Sequence, residues 1–278
     1  MTQPLRPKAR FDLHIHTTRS DGTLAPQRLL ERSRVAGIDV LAITDHDLAP
    51  TLPAGPSSGG GRTIHLVHGA EVSAQHEGHE LHLLVYFPGT MPTAFADFLG
   101  ERARWRAARH DAALAAMGLT DRVPGADADA RAGRRALTRH HLARALVEAG
   151  VEPTMSAAFQ RRLAHATGHV PMADVPAAEV LERARANGGF TSWAHPPMSR
   201  VRDQAPKLAK LGLHALEASR PSLGRHGRAV VARIALQNRL AITGGSDWHG
   251  WQGGAPGQFS LPAREARPFA RAVGLYVA

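Results

Sequence analysis

The chain has 278 residues, 43% of them hydrophobic and 21% charged, the balance of a globular protein with a real core, and it contains no apolar run long enough for a transmembrane helix. Cysteine is absent, which excludes disulfides and thiolate metal sites and leaves nitrogen and oxygen to hold any metal. The formal charge of +10 favours anionic partners, among them nucleotides, nucleic acid and phosphate esters, without choosing between them.

The opening residues, MTQPLRPKARFDLHIH, are basic and lack the apolar core of a secretory signal, so a cytoplasmic location is expected. In FDLHIHTTRSDG (residues 11 to 22), Phe11, Leu13 and Ile15 share one face of a strand, and Asp12, His14 and His16 share the other. An ordinary half-buried strand and a pair of metal-binding imidazoles both fit that alternation, and partners elsewhere in the chain must decide. APQRLLERSRVAGI has helical spacing through Leu29, Leu30 and Val35, with Gly37 as its stop. DVLAITDHD reads as a short buried strand ending in a polar cluster, TLPAGPSSGGGR as a loop, and TIHLVHGAEVS and ELHLLVYF as two more strands.

From about Thr90 to Thr167 the chain turns Ala- and Arg-rich, with helical periodicity over residues 93 to 119 and 136 to 149 and a polar loop, DRVPGADADARAGRR, between. Beyond it, AAEVLERARANGGFTSWAHP, QAPKLAKLGLHALEAS and HGRAVVARIALQNRLAITGGSDWHG each run from helix to strand. Alternating helices and strands on both sides of a helical segment predict an α/β, barrel-like domain over residues 8–90 and 168–278, with a helical insertion at 91–167.

In a mostly parallel sheet, reactive groups belong at the carboxyl ends of strands. There the sequence places His14 and His16 with Asp21 in the following turn, then Asp45, His46 and Asp47, then Glu71, His82, His195, and finally Asp247 and His249. Singly, each cluster has a plain explanation: TDHD as a helix cap, Glu71 as an edge carboxylate, AHP as a turn, GGSD as a glycine turn before a cap. Together, six imidazoles and three carboxylates suffice for two or three divalent ions with room for water or phosphate oxygens.

DLHIHTTRSDGTLAP, LAITDHD, GAEVS followed by His82, WAHP and GGSDWH, in that order, resemble the PHP (polymerase and histidinol phosphatase) family of metallo-phosphoesterases. The likeness is strongest to the stand-alone bacterial type with a helical insert, which includes nucleoside 3′,5′-bisphosphate phosphatases and proteins that trim RNA from its 5′ end. The resemblance implies a distorted (β/α)7 barrel with a trinuclear metal centre. By position it makes His14, His16, Asp21, His46, Glu71, His82, His195, Asp247 and His249 metal ligands, with Glu71 as a bridge. His14, His16 and Asp247 would complete one site, His82 and His195 a second, and Asp21, His46 and His249 a third. LTRHHLARALVEAG resembles the family's phosphate-binding helix start, which makes Arg139 a substrate ligand with His140 or His141 beside it. Two departures stand out. AHATGHVPM lacks the lysine that relatives carry near a Pro-Gly turn, and Met198 occupies the place of an arginine after AHP, for which Arg200 is the nearest replacement.

The implied reaction is hydrolysis of phosphate monoesters of small nucleotides by a hydroxide held between manganese, iron or zinc ions, with Arg139 stabilising charge and His226, in PSLGRHGR, as proton donor to the leaving group. Asp12 and Asp45 are expected to orient imidazoles, and His65, His68, His76 and His79 to be structural or surface groups. The alternatives are a 5′-end exonuclease on short RNA, a histidinol-phosphate-type phosphatase, and a non-catalytic, metal-stabilised nucleic-acid-binding module. A phosphorylated small molecule, short RNA included, is the expected partner; no membrane and no obligate protein partner is expected.

Overall fold

The structure is a computed structural model that describes residues 5–251 and 253–278. The first half of the chain carries β1 (Arg10–Asp12), α1 (Pro26–Val35), β2 (Val40–Leu41), β3 (Gly55–Gly59), β4 (Arg62–Leu66), β5 (His68–His76) and β6 (His79–Phe87). A helical stretch follows, α2 (Thr93–Ala116), α3 (Ala128–Arg131), α4 (Arg139–Glu148) and α5 (Met155–Ala158). The last part alternates as α6 (Ala177–Ala186), β7 (Phe190–Trp193), α7 (Val201–Lys210), β8 (Ala215–Ser219), α8 (Arg225–Gln237) and β9 (Ala241–Gly244), and closes with β10 (Leu261–Pro262) and α9 (Ala263–Ala272).

The strands form two five-stranded sheets, in the orders β10-β1-β2-β4-β3 and β5-β6-β7-β8-β9. Parallel pairing joins strands connected through helices, β1 with β2, β7 with β8 and β8 with β9, and also β2 with β4, which β3 connects. β6 runs antiparallel to both β5 and β7, and β5 and β6 are joined by the short Glu77–Gly78 turn, too short for a crossover. The distorted (β/α)7 barrel therefore gives way to a mixed α/β fold with two open sheets. They meet at isolated bridges, Ile15 with Trp248 and His46 with Glu71, and at Leu13 N–H donated to Gly244 O at 3.2 Å. The TLPAGPSSGGGR segment also departs from expectation: its central residues form β3, paired antiparallel with β4 around Gly60 and Gly61, both in the left-handed region.

The core lies between the sheets and the surrounding helices. Phe11 and Leu13 pack with Tyr86, Phe190 and Phe269, and Ile15 with Leu29, Ile38 and Leu41. The amino-terminal half of α2 joins the second sheet's core through Phe95, Phe98 and Leu99, while its far end forms a separate cluster with α4, α5 and the turn after it through Leu114, Leu142, Leu146, Ala158 and Leu163. A buried ion pair, Arg106 Nε to Asp47 Oδ2 at 2.5 Å, and an Arg106–Ser73 hydrogen bond at 2.7 Å fasten α2 to the strand ends. Among the described residues, no helix is long and apolar enough to cross a membrane.

Candidate metal centre

His14 and His16 follow β1, and both are as buried as the Leu13 and Ile15 that alternate with them. A strand with a water-facing polar side is thereby excluded. Two glycines make the approach of the neighbouring loops possible. A side chain at Gly245 would lie 2.4 Å from the His14 nitrogen, and one at Gly22 would lie 2.3 Å from the His16 carbonyl oxygen. The loops after β2, β7 and β9 carry three non-glycine residues in the left-handed region, Asp47 (φ 49°), His195 (φ 31°) and Asp247 (φ 48°). Such backbone costs on the order of 1–3 kcal/mol per residue and clusters at functional sites. Here it is held by specific bonds: Asp47 N–H to Glu71 O at 2.8 Å, His195 N–H to Glu217 Oε2 at 2.7 Å, and Asp247 N–H to His14 O at 2.7 Å.

The nine candidate metal ligands come together. His14, His16 and Asp247 form one group, His16, Asp21, His46 and His249 another, and Glu71 joins His14 with His195 and His46 with His82. Glu71 is the hub. Its Oε1 lies 2.8 Å from His82 Nδ1 and 2.9 Å from His195 Nε2. Its Oε2 lies 3.0 Å from His46 Nδ1, 3.3 Å from His16 Nε2 and 3.4 Å from His14 Nε2. The His14 and His16 Nε2 atoms are 3.1 Å apart, and Asp247 Oδ1 is 3.4 Å from each. Asp21 Oδ1 stands 3.3 Å from His249 Nε2, and the His16 and His249 rings stack at 4.2 Å.

The donor set fits divalent cations. Asp21 Oδ1, His46 Nδ1 and Glu71 Oε2 are buried and, close as they lie to neighbouring imidazoles and carboxylates, make no well-aligned hydrogen bond, an arrangement that is costly unless something positive binds there. Electrostatics agrees. Burial opposes charge on Glu71, yet His46, His82 and His14 hold its carboxyl well below the usual range. Burial also works against protonation of His82, but Glu71 overrides it and lifts the imidazole to about 9. For His46 burial wins and the ring falls to about 4.

Glu217 is the functional group that reading the sequence missed. It is wholly buried in β8, accepts from His14 Nδ1 at 2.9 Å, and so turns the His14 Nε2 lone pair toward the cluster. A lone glutamate in the apolar run ALEAS was its signal. Asp12 does not orient an imidazole. Its carboxylate takes the Ser246 and Gly257 N–H groups and pins the GGSD loop. Asp45 binds Thr17 and Ser20, and only Ser20, 3.4 Å from His16 Nδ1, connects it to a ring. His68 is structural, bonded to Leu52 O and Met91 N–H.

Beside His82 and His195 a pocket of about 120 Å³ opens, walled by Arg139, Arg200, His165, Gln204 and also His76 and His79, which the sequence had left as structural or surface groups. Arg139 stands in the first turn of α4, with its Nη1 3.2 Å from His165 Nε2. Arg200, not the exposed Met198, faces the pocket. Thr167 turns its hydroxyl back to Arg162 O and Ala164 O. His140 leaves the same helix turn toward Trp251 and stacks on it at 4.2 Å, whereas His141 bonds the Thr138 N–H and closes the cap. His226 is exposed in the first turn of α8 and does not line this pocket.

No protein-family model matches the chain. Individual relatives do. The 5′-3′ exoribonuclease Rnm of Salmonella typhimurium is 34% identical over 86% of this chain and 85% of its own length. A phosphoribosyl 1,2-cyclic phosphate 1,2-diphosphodiesterase of Eggerthella lenta is 31% identical over 91% and 99%. A 3′,5′-nucleoside bisphosphate phosphatase of Chromobacterium violaceum is 27% identical over 90% and 89%. Among solved structures, a Bifidobacterium adolescentis protein described as a metal-dependent phosphoesterase superposes with a TM-score of 0.73 at 26% identity, covering 94% of this chain and 96% of that one.

Proposed function

We propose, from the premise that this chain belongs to the PHP-domain family of metal-dependent phosphoesterases, that it hydrolyses phosphate esters of nucleotides and takes the 5′ end of RNA as its extended substrate. The observation that carries this reading is the gathering of nine imidazoles and carboxylates, six of them buried, around Glu71, directly beside a pocket that presents Arg139 and Arg200. In this reading His14, His16 and Asp247 would hold one divalent ion and Asp21, His46 and His249 another, while His82 and His195, both on Glu71 Oε1, would hold a third. Manganese, iron or zinc suits that nitrogen and oxygen set. Bound there, such ions neutralise phosphate oxygens and activate water as a nucleophile.

The protein's own groups do the rest. Glu217 fixes the tautomer of His14, and Glu71 is kept ionised by the surrounding imidazoles. Arg139, at the positive end of α4, and Arg200 bind phosphate oxygens through charge-assisted hydrogen bonds. A nucleoside 3′,5′-bisphosphate and the first residue of a 5′-phosphorylated RNA present the same two phosphorus centres on one ribose. One site can therefore serve both, and the relatives' two named activities need not conflict.

The test is release of phosphate from adenosine 3′,5′-bisphosphate, and of 5′-terminal nucleotides from a short 5′-monophosphorylated RNA, with manganese and beside the folded His14→Ala protein. Release from both that disappears in the variant is the expected result. Release from the bisphosphate alone restricts the enzyme to small nucleotides. RNA binding without release, unchanged in His14→Ala, would identify a binding module instead.

A further inference from the structure

Trp251 is the most exposed of the four tryptophans, at 40%. Trp193 is buried, Trp105 lies against the guanidinium groups of Arg102 and Arg109 at 4.2 and 5.0 Å, and Trp248 is half-buried with its Nε1–H on Gly254 O. The Trp251 ring is nonetheless held in place. Its Nε1–H donates to Asp21 O at 2.8 Å, His140 stacks on it at 4.2 Å with 21° between the planes, and His249 lies 5.1 Å away. Asp21 and His249 belong to the ion-binding cluster, and Arg139, the chain neighbour of His140, lines the phosphate pocket. A flat, oriented, partly open aromatic surface thus stands one residue from Arg139 and two from His249. Nothing in the hydrolysis of a phosphate ester itself calls for it.

We propose that the Trp251–His140 pair is a stacking platform for the nucleobase of the substrate, in RNA the base of the 5′-terminal nucleotide. The proposal rests on the nucleotide reading above and adds to it the group that distinguishes a nucleotide from a bare sugar phosphate. Every base has a π-face, so the platform gives affinity for nucleotides without choosing a sequence. Trp251 binds no metal and takes no part in proton transfer; its contribution appears in binding.

The test compares adenosine 5′-monophosphate with ribose 5-phosphate, which differ only in the base, as ligands of the metal-loaded protein by calorimetry. Wild type is expected to bind the nucleotide about 5- to 150-fold more tightly. Trp251→Leu removes that preference and leaves ribose 5-phosphate unchanged, and Trp251→Phe restores most of it. Both variants lose the hydrogen bond to Asp21 O, so recovery in Phe separates stacking from that bond. Equal weakening of both ligands in Trp251→Leu, or an undiminished preference, overturns the platform while leaving the phosphoesterase reading intact. Binding of neither ligand to wild type, together with no release in the hydrolysis assay, overturns both.

Discussion

The sheet-end cluster keeps His14 and His16 at 0% exposure and Glu71 at 1%, whereas Arg139, His140 and Arg200, which α4 and α7 bring to its mouth, are only half-buried. In the cluster each side chain is held by others of the cluster or by Glu217, and three backbone residues are kept in the left-handed region to aim them. At the mouth, Arg139 meets one exposed histidine, and Thr167 and Met198 bring no charge to it. Chemistry common to a family needs fixed geometry in low dielectric, while a recognition surface can change one side chain at a time without disturbing a core.

That contrast orders the expected effects of substitution. Glu71→Gln removes the shared carboxylate and is expected to lower turnover by about 10³-fold or more, since stabilisation of several kcal/mol is at stake; metal analysis of the purified variant should show fewer bound ions. Arg106→Ala leaves Asp47 buried and unpaired beside His46 and should cost about 3–5 kcal/mol of stability in chemical denaturation. A loss as small as that of an exposed arginine would show that α2 is not fastened to the centre through this pair. Glu217→Gln keeps the shape but not the charge behind His14 and should weaken metal binding about 10- to 100-fold in competition with a chelator. Arg139→Ala should act on KM more than on ion content, by about 10-fold, and Arg200→Ala by less. If an arginine at the mouth instead reduced the bound metal, the division between centre and mouth would fail.

The centre was legible because its ligands fall in short motifs at the ends of strands, each close in sequence to a recognisable turn. The support for those ligands was less so. Glu217 sits in a strand whose other residues are small or apolar, and its partner His14 is at the far end of the chain. Arg106 is one arginine among many on α2, and only the docking of that helix singles it out. His76 and His79 looked incidental because their strands are recognised by apolar residues, yet the β5–β6 hairpin carries both to the pocket wall. The part of the TLPAGPSSGGGR segment that forms β3 lacks the apolar alternation of a strand; its pairing with β4 is set by the tight Gly60–Gly61 turn.

By itself the sequence determined the residue types of the centre, their order, the alternation of helix and strand after the helical stretch, and the absence of thiolate ligands. Those are local properties, written in spacing and composition. Only the tertiary structure decided that the strands form two open sheets, that Glu71 meets five imidazoles, that Glu217 stands behind His14, and that α4 turns Arg139 toward the pocket and His140 toward Trp251. These depend on contacts between segments far apart in the chain, where packing and burial, rather than local preference, fix which groups meet.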